Sequence, residues 1–316
     1  MRLCREKGVD LVVGLGGGSA MDTAKGVAAG VFFTGDLWDM TNHGQQPYVP
    51  PQKALPLLMI PTLAATASEM NGNAVLTNTD LREKCAISSP ALYPKTSIVD
   101  PALTLSVPAE HTAYGAVDTI VHATEGYFNA VDDTPLQDRI VEGIVSTVVE
   151  QAPRVMVKLD DLAARSHLQW ASIVALNGLP QSGCGGGFPV HHIEHGLSAI
   201  HDVPHAAGLA VVGPAWMRYV ARRRPEKLAQ FGARVFGVET AGRSPEAVAM
   251  EGIQLYEEFV MSLGVATRLK GLGVSEETLD LIADTVMRNY GVDQGRVRGR
   301  PPLDRAAVGE ILRSAL

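Results

Sequence analysis

Nine histidines occur in the chain, and five of them fall between His191 and His205. His191 and His195 are four residues apart, which places both imidazoles on one face of a helix. Asp118 and His122 repeat that spacing in a second segment. There Ala113, Val117, Ile120, Val121 and Tyr127 make an otherwise apolar face, and Glu125 extends the polar stripe. An acid and a histidine within a buried helix need partners, because an unpaired buried charge is costly. For that pair alone, ordinary hydrogen bonding is enough. Beside the second cluster, a shared metal ion meets the need better, and three imidazoles with one carboxylate suit Fe(II) or Zn(II). His43, His111 and His167 have no such neighbours and read as surface or core residues. One competing pattern is present. His191-His192-Ile193-Glu194-His195 spells His-x-x-Glu-His, an inverted zinc-protease motif in which His191 and His195 bind zinc and Glu194 is the general base. That alternative leaves Asp118 and His122 without a role.

A second chemical feature lies near the start. Gly14-Leu15-Gly16-Gly17-Gly18-Ser19 follows an apolar run and opens a helical pattern. Free backbone N–H groups and the positive end of a helix dipole at such a turn suit a dinucleotide pyrophosphate. The match to Gly-x-Gly-x-x-Gly is incomplete, since Ser19 replaces the last glycine. A tight strand-to-helix turn with no ligand is the plain alternative.

The elements that must position these residues divide the chain in two. Asp10 to Gly16 suits a buried strand. A helix is expected from Ser19, where Ser19-Ala20-Met21-Asp22 has the form of a capping box. Further strands are expected in Ala54 to Ile60 and Thr96 to Val99, with a turn at Asn78-Thr79-Asp80 between short strands. After Pro101 helical periodicity takes over. It predicts helices near 109–129, 134–157, 161–177, 188–200, 206–222, 225–236, 245–263, 276–290 and 305–315. Ser244-Pro245-Glu246 marks one start, and Ser275-Glu276-Glu277 marks another. The expected organisation is a partial α/β unit over 1–105 and an all-helical unit over 106–316.

Composition excludes several function classes. An apolar fraction of 46% and a charged fraction of 19% over 316 residues read as an ordinary globular protein of one large or two ordinary domains. The net charge of −7, with no basic cluster, argues against a nucleic-acid surface. The longest apolar stretch, Ala54 to Ala67, is broken by two prolines and two threonines and is too short to span a membrane. Arg2, Arg5, Glu6 and Lys7 leave no room for a signal peptide. Cys4, Cys85 and Cys184 are too widely spaced for a disulfide framework or a cysteine zinc site, and they fit a reducing cytoplasm.

With these residues in hand, a family resemblance emerges. Gly16-Gly17-Gly18-Ser19-Ala20-Met21-Asp22-Thr23-Ala24-Lys25 resembles the Gly-Gly-Gly-Ser-x-x-Asp-x-Ala-Lys motif of the iron-containing alcohol dehydrogenases. Pro61 to Glu69 is similar to their threonine-rich cofactor loop. Asp100-Pro101 with Thr104 and Pro108 is similar to their interdomain segment. Gly115-x-x-Asp118-x-x-x-His122-x-x-Glu125 and His191-x-x-x-His195 with Pro204-His205 complete the set. Glu69-Met70-Asn71, Trp170-Ala171-Ser172 and Pro214-Ala215-Trp216 resemble the butanol dehydrogenase and aldehyde reductase branch.

The resemblance implies a partial Rossmann-like α/β cofactor domain followed by an all-α metal-binding domain, in a dehydroquinate synthase-like architecture. It implies that Asp118, His122, His191 and His205 hold Fe(II), or alternatively Zn(II). His195 is then set beside the nicotinamide and substrate rather than on the metal. Gly17, Gly18, Ser19, Asp22, Thr62, Thr66 and Lys84 would contact NAD or NADP. The implied reaction is hydride transfer between NAD(P)H and a small aldehyde or primary alcohol, in a cytoplasmic homodimer.

Two residues depart from the family pattern: Ala67 stands where glycine is usual, and Ala206 where a glycine usually follows the last histidine. The family also carries an α/β region before the glycine turn, whereas here Met1 lies only a few residues before Leu11. The expectation is an N-terminally truncated chain that binds the nicotinamide weakly. The alternative function is a catalytically impaired metal-binding remnant of the same family.

Overall fold

The computed structural model describes residues 1–42 and 48–316, so the reading of His43 lies outside the described residues. Helix α1 (Arg2–Lys7) leads into strand β1 (Val12–Gly16) and helix α2 (Gly18–Gly30). Strand β2 (Leu57–Pro61) follows, then an antiparallel ribbon of β3 (Asn73–Asn78) and β4 (Glu83–Ser88), and then the two-residue strand β5 (Thr96–Ser97). β1, β2 and β5 form a parallel sheet in that order, with Val12 opposite Leu57 and Met59 opposite Ser97. The expected turn is present: Asn78 Oδ1 accepts from the N–H groups of Asp80 and Leu81. The third expected strand is shorter than Thr96 to Val99.

Two local expectations need correction. α2 begins at Gly18 with Gly17 in the N-cap position and no side-chain cap. Ser19 is already helical, and the Asp22 carboxylate is drawn away from the helix end by Ser68 and the Val75 N–H. Nor is β1 buried on both faces. Met21, Ala24 and Ala28 of α2 pack with Leu57 and Met59 on one side of the sheet, but Val13 and Leu15 are 51% and 60% exposed on the other.

The helical part follows its periodicity closely. Its helices are α3 (Ala109–Asn129), α4 (Pro135–Val157), α5 (Leu162–Leu176), α6 (Pro189–His201), α7 (His205–Ala221), α8 (Pro225–Phe236), α9 (Pro245–Ser262), α10 (Leu279–Tyr290) and α11 (Arg305–Ser314). Asp161, Ser244 and Asp304 cap α5, α9 and α11 by accepting from the backbone N–H three residues on. Ser275 makes no such cap. Glu276–Thr278 forms a 3-10 turn, and the α-helix starts only at Leu279. Among the described residues no helix is long and apolar enough to cross a membrane.

α3 is the axis of this part. Seventeen of its 21 residues are buried, and it packs on α4, α5 and α7. An unbroken apolar core runs from Ala113 on α3 to Leu312 on α11. Gly115, one turn before Asp118, brings α3 against the loop after β2. A Cβ there would stand 2.1 Å from the Ala64 carbonyl oxygen, so only glycine permits the approach. The helix that carries the first polar pair therefore touches the loop expected to meet the cofactor.

Candidate metal centre and cofactor cleft

Asp118 and His122 lie one turn apart on α3, His191 and His195 one turn apart on α6, and His205 opens α7. The Asp118 Oδ1 atom lies 3.4 Å from His122 Nδ1, 3.7 Å from His191 Nε2 and 3.9 Å from His205 Nε2. Two atoms that share a tetrahedral metal ion at ordinary bond lengths sit about 3.3–3.5 Å apart. The Asp118, His122 and His191 atoms are buried and have no hydrogen-bond partner among the described residues. Buried polar atoms are ordinarily satisfied, so three convergent exceptions fit a divalent cation held among them. His205 points its Nε2 at the same carboxylate from the more open side, where it also groups with Glu194 and His195.

The electrostatics agree. Burial works to raise the Asp118 carboxyl, but His122, His191 and His205 outweigh it and hold that group well below the usual carboxylate range. Burial pushes His122 down to about 3, so it is a neutral donor at working pH. For His191 the desolvation is outweighed by Glu125 and Asp118, which raise it to about 9. A cation taken up at its Nε2 therefore displaces a proton.

Two buried carboxylates orient the rings from behind. Glu125 accepts from the Val190 N–H and pairs with His191 Nδ1, leaving Nε2 for the centre. Glu194 pairs with His205 Nδ1, accepts from Ser198 Oγ and meets Lys84 Nζ at 3.3 Å. A carboxylate on the far nitrogen fixes the tautomer of a ligating histidine and raises its basicity. The sequence signalled Glu125 only as the end of a polar stripe and Glu194 only as a protease base. Glu194 is fully buried with both oxygens engaged, by His205 and Lys84 on one and Ser198 on the other, so it does not face solvent as a water-activating base must. The His-x-x-Glu-His reading finds no support here. His111 and His167 are exposed, as a surface role requires.

A cleft of about 390 Å³ opens beside these residues, lined on one wall by Gly18, Ser19, Asp22, Thr66 and Lys84 and on the other by His122, His191, His195 and His205. Gly18 lets the Thr66 side chain lie against the helix start, where a Cβ would come within 2.4 Å of it. Both Asp22 oxygens are taken, by Ser68 Oγ at 2.6 Å and the Val75 N–H at 2.8 Å. The buried Lys25 ammonium donates to the carbonyls of Asn71 and Asn73 at 2.8 and 2.7 Å. Asp22 and Lys25 thus pin the loop of residues 66–73 to α2, a role their motif did not disclose. Gly17 and Thr62 stand just outside the lining: Gly17 caps α2, and the Thr62 N–H donates to Gly16 O.

Comparison with known proteins gives the chain a family. Residues 1–101 match the family described as iron-containing alcohol dehydrogenase, and residues 112–316 match the C-terminal part of the Fe-containing alcohol dehydrogenase family. The chain belongs to the iron-containing alcohol dehydrogenases. The probable NADH-dependent butanol dehydrogenase 1 of Bacillus subtilis is 42% identical over 314 residues, covering 99% of this chain and 79% of its own. The NADPH-dependent aldehyde reductase YqhD of Escherichia coli is 31% identical over 296 residues, 93% of this chain and 75% of its own. The crystal structure of NADH-dependent butanol dehydrogenase A from Thermotoga maritima superposes with a TM-score of 0.93 at 40% identity, covering 99% of this chain and 78% of that one. In this iron-containing alcohol dehydrogenase, Ala67 holds a left-handed backbone at φ 50°, the region that favours glycine. Ala206 is the second residue of α7, in its first turn.

Proposed function

We propose that the chain reduces small aldehydes to primary alcohols, and runs the reverse oxidation, with NADH or NADPH and one divalent metal. Asp118, His122, His191 and His205 are the ligands. The observation that carries the reading is the convergence of unpartnered Asp118, His122 and His191 atoms at one end of a cleft whose other end is a glycine-rich helix start. The bound metal, Fe(II) or Zn(II), supplies a Lewis acid for the substrate oxygen. The protein does the rest by placement. The start of α2 at Gly18 and Ser19, with Gly17 behind it, receives the pyrophosphate, and Thr66 with Thr62 flanks it. Lys84 faces both the cofactor and the metal side through Glu194. His195 stands beside the reacting carbons without joining the metal. Burial and the nearby Lys84 ammonium keep it neutral. The division falls near Leu105, with residues 1–105 serving the cofactor and 106–316 the metal. A homodimer in a reducing cytoplasm completes the reading, in keeping with three free cysteines.

The test is metal analysis together with NADH or NADPH oxidation on butyraldehyde. Stoichiometric metal with turnover supports the reading. Metal without turnover favours the impaired remnant. In Asp118→Ala we expect metal content near zero and turnover lower by on the order of 10³-fold, since the Lewis acid is worth several kcal/mol. Unchanged metal content in that variant would refute the ligand assignment.

A further inference from the structure

Tyr290 ends α10, buried between α6 and β4. Its hydroxyl donates to the Lys84 carbonyl oxygen at 2.7 Å and stands 2.6 Å from His195 Nδ1. A phenol has one proton to give and lone pairs with which to accept. The Lys84 carbonyl can only accept, so the phenol's proton is committed there. The contact with His195 is therefore a hydrogen bond only when Nδ1 carries the hydrogen. The ring itself is held in place by His192, which stacks on it at 4.2 Å and an interplanar angle of 10°.

A neutral imidazole has one N–H. With that hydrogen on Nδ1, the other nitrogen of His195 is a bare acceptor. Nε2 is buried, has no partner among the described residues and belongs to a residue that lines the cleft. We propose that Tyr290 is a positioning residue: it locks His195 in the Nδ1–H tautomer, so that the cleft offers a hydrogen-bond acceptor that recognises the alcohol and not the aldehyde. An alcohol hydroxyl can donate to Nε2, and a carbonyl oxygen cannot. The lock acts on the binding of one member of the substrate pair, and it rests on the reductase reading given above.

The first test is a long-range proton–nitrogen spectrum of the Zn(II)-loaded protein with ¹⁵N-labelled histidine, with His195 assigned by His195→Gln. The expected signature is a protonated Nδ1 and an unprotonated, metal-free Nε2. A protonated Nε2, or a metal-bound one, overturns the proposal. The second test is Tyr290→Phe. Loss of one hydrogen bond's orientation should raise the KM for 1-butanol about 2- to 10-fold, while the KM for butyraldehyde stays nearly constant. Equal changes for both would show a general structural role and overturn it. Arg288→Gln serves as the control, because Arg288 joins the same helix to β4 through Glu83 without touching His195, and it should leave the ratio of the two KM values unchanged. If the unmodified protein shows no turnover, the reductase reading fails while the tautomer remains measurable, so the two failures are separable.

Discussion

The helices after Pro101 and the parallel sheet before them treat apolar surface in opposite ways. α3 is buried along most of its length against α4, α5 and α7, and its residues Asp118 and His122 are buried with it. Among the described residues, the sheet of β1, β2 and β5 is covered by α2 on one face only. On the other, Leu11, Val13, Leu15 and Ile98 are exposed to between 44% and 60%. Parallel sheets are otherwise found with both faces covered. The contrast places the rigidity of the molecule on the metal side. The proposed ligands stand on helices of the apolar core, with Glu125 behind His191 and Glu194 behind His205, while the sheet below the glycine turn has half of its apolar contacts.

Substitutions in the two regions should expose this asymmetry. Ile253→Ala, in the closed core on α9, should cost about 2–5 kcal/mol in a denaturant titration. Leu15→Ala, a comparable truncation on the open sheet face, should stay within about 0.5 kcal/mol. Similar losses at the two positions would show that the sheet face is covered in solution. The metal site gives a middle-sized effect. Glu125→Gln and Glu194→Gln should each weaken metal binding roughly 10- to 100-fold in a chelator competition while leaving the helical content intact. If neither changes affinity, the carboxylates behind the rings do not orient them. The smallest effect lies in the cofactor loop. The left-handed backbone at Ala67 costs a non-glycine residue about 1–2 kcal/mol, against about 0.5–1 kcal/mol for the greater freedom of glycine when unfolded. Ala67→Gly should therefore stabilise the chain by about 0.5 kcal/mol, visible as a small rise in Tm, and a fall would mean the loop is not strained there.

The same asymmetry governs what could be read from the sequence. The helices were legible because their buried faces recur at helical spacing and several open on a capping residue, as at Asp161 and Ser244. The polar pairs of the candidate site were legible for the same reason: Asp118 with His122, and His191 with His195, are each one turn apart on a single helix. What failed was local pattern without long-range context. Ser19 has the form of a cap, yet three glycines let the helix start before it, and Asp22 is claimed by Ser68 and Val75 some fifty positions away. The exposed face of β1 was invisible, because an apolar run reads the same whether one face or both are covered. Glu194 on His205 and Tyr290 on His195 join residues 11 and 95 positions apart. Only the folded packing of α6 with α7 and α10 brings them together, and no spacing in the chain announces it.

The account stands most directly on the position of the metal. Anomalous diffraction from crystals of the Fe(II)- or Zn(II)-loaded protein would locate it. The predicted result is a single ion within about 2.0–2.2 Å of Asp118, His122, His191 and His205, with His195 outside its reach. An ion held instead by Glu194, His195 and His205, or none near Asp118, would contradict the account.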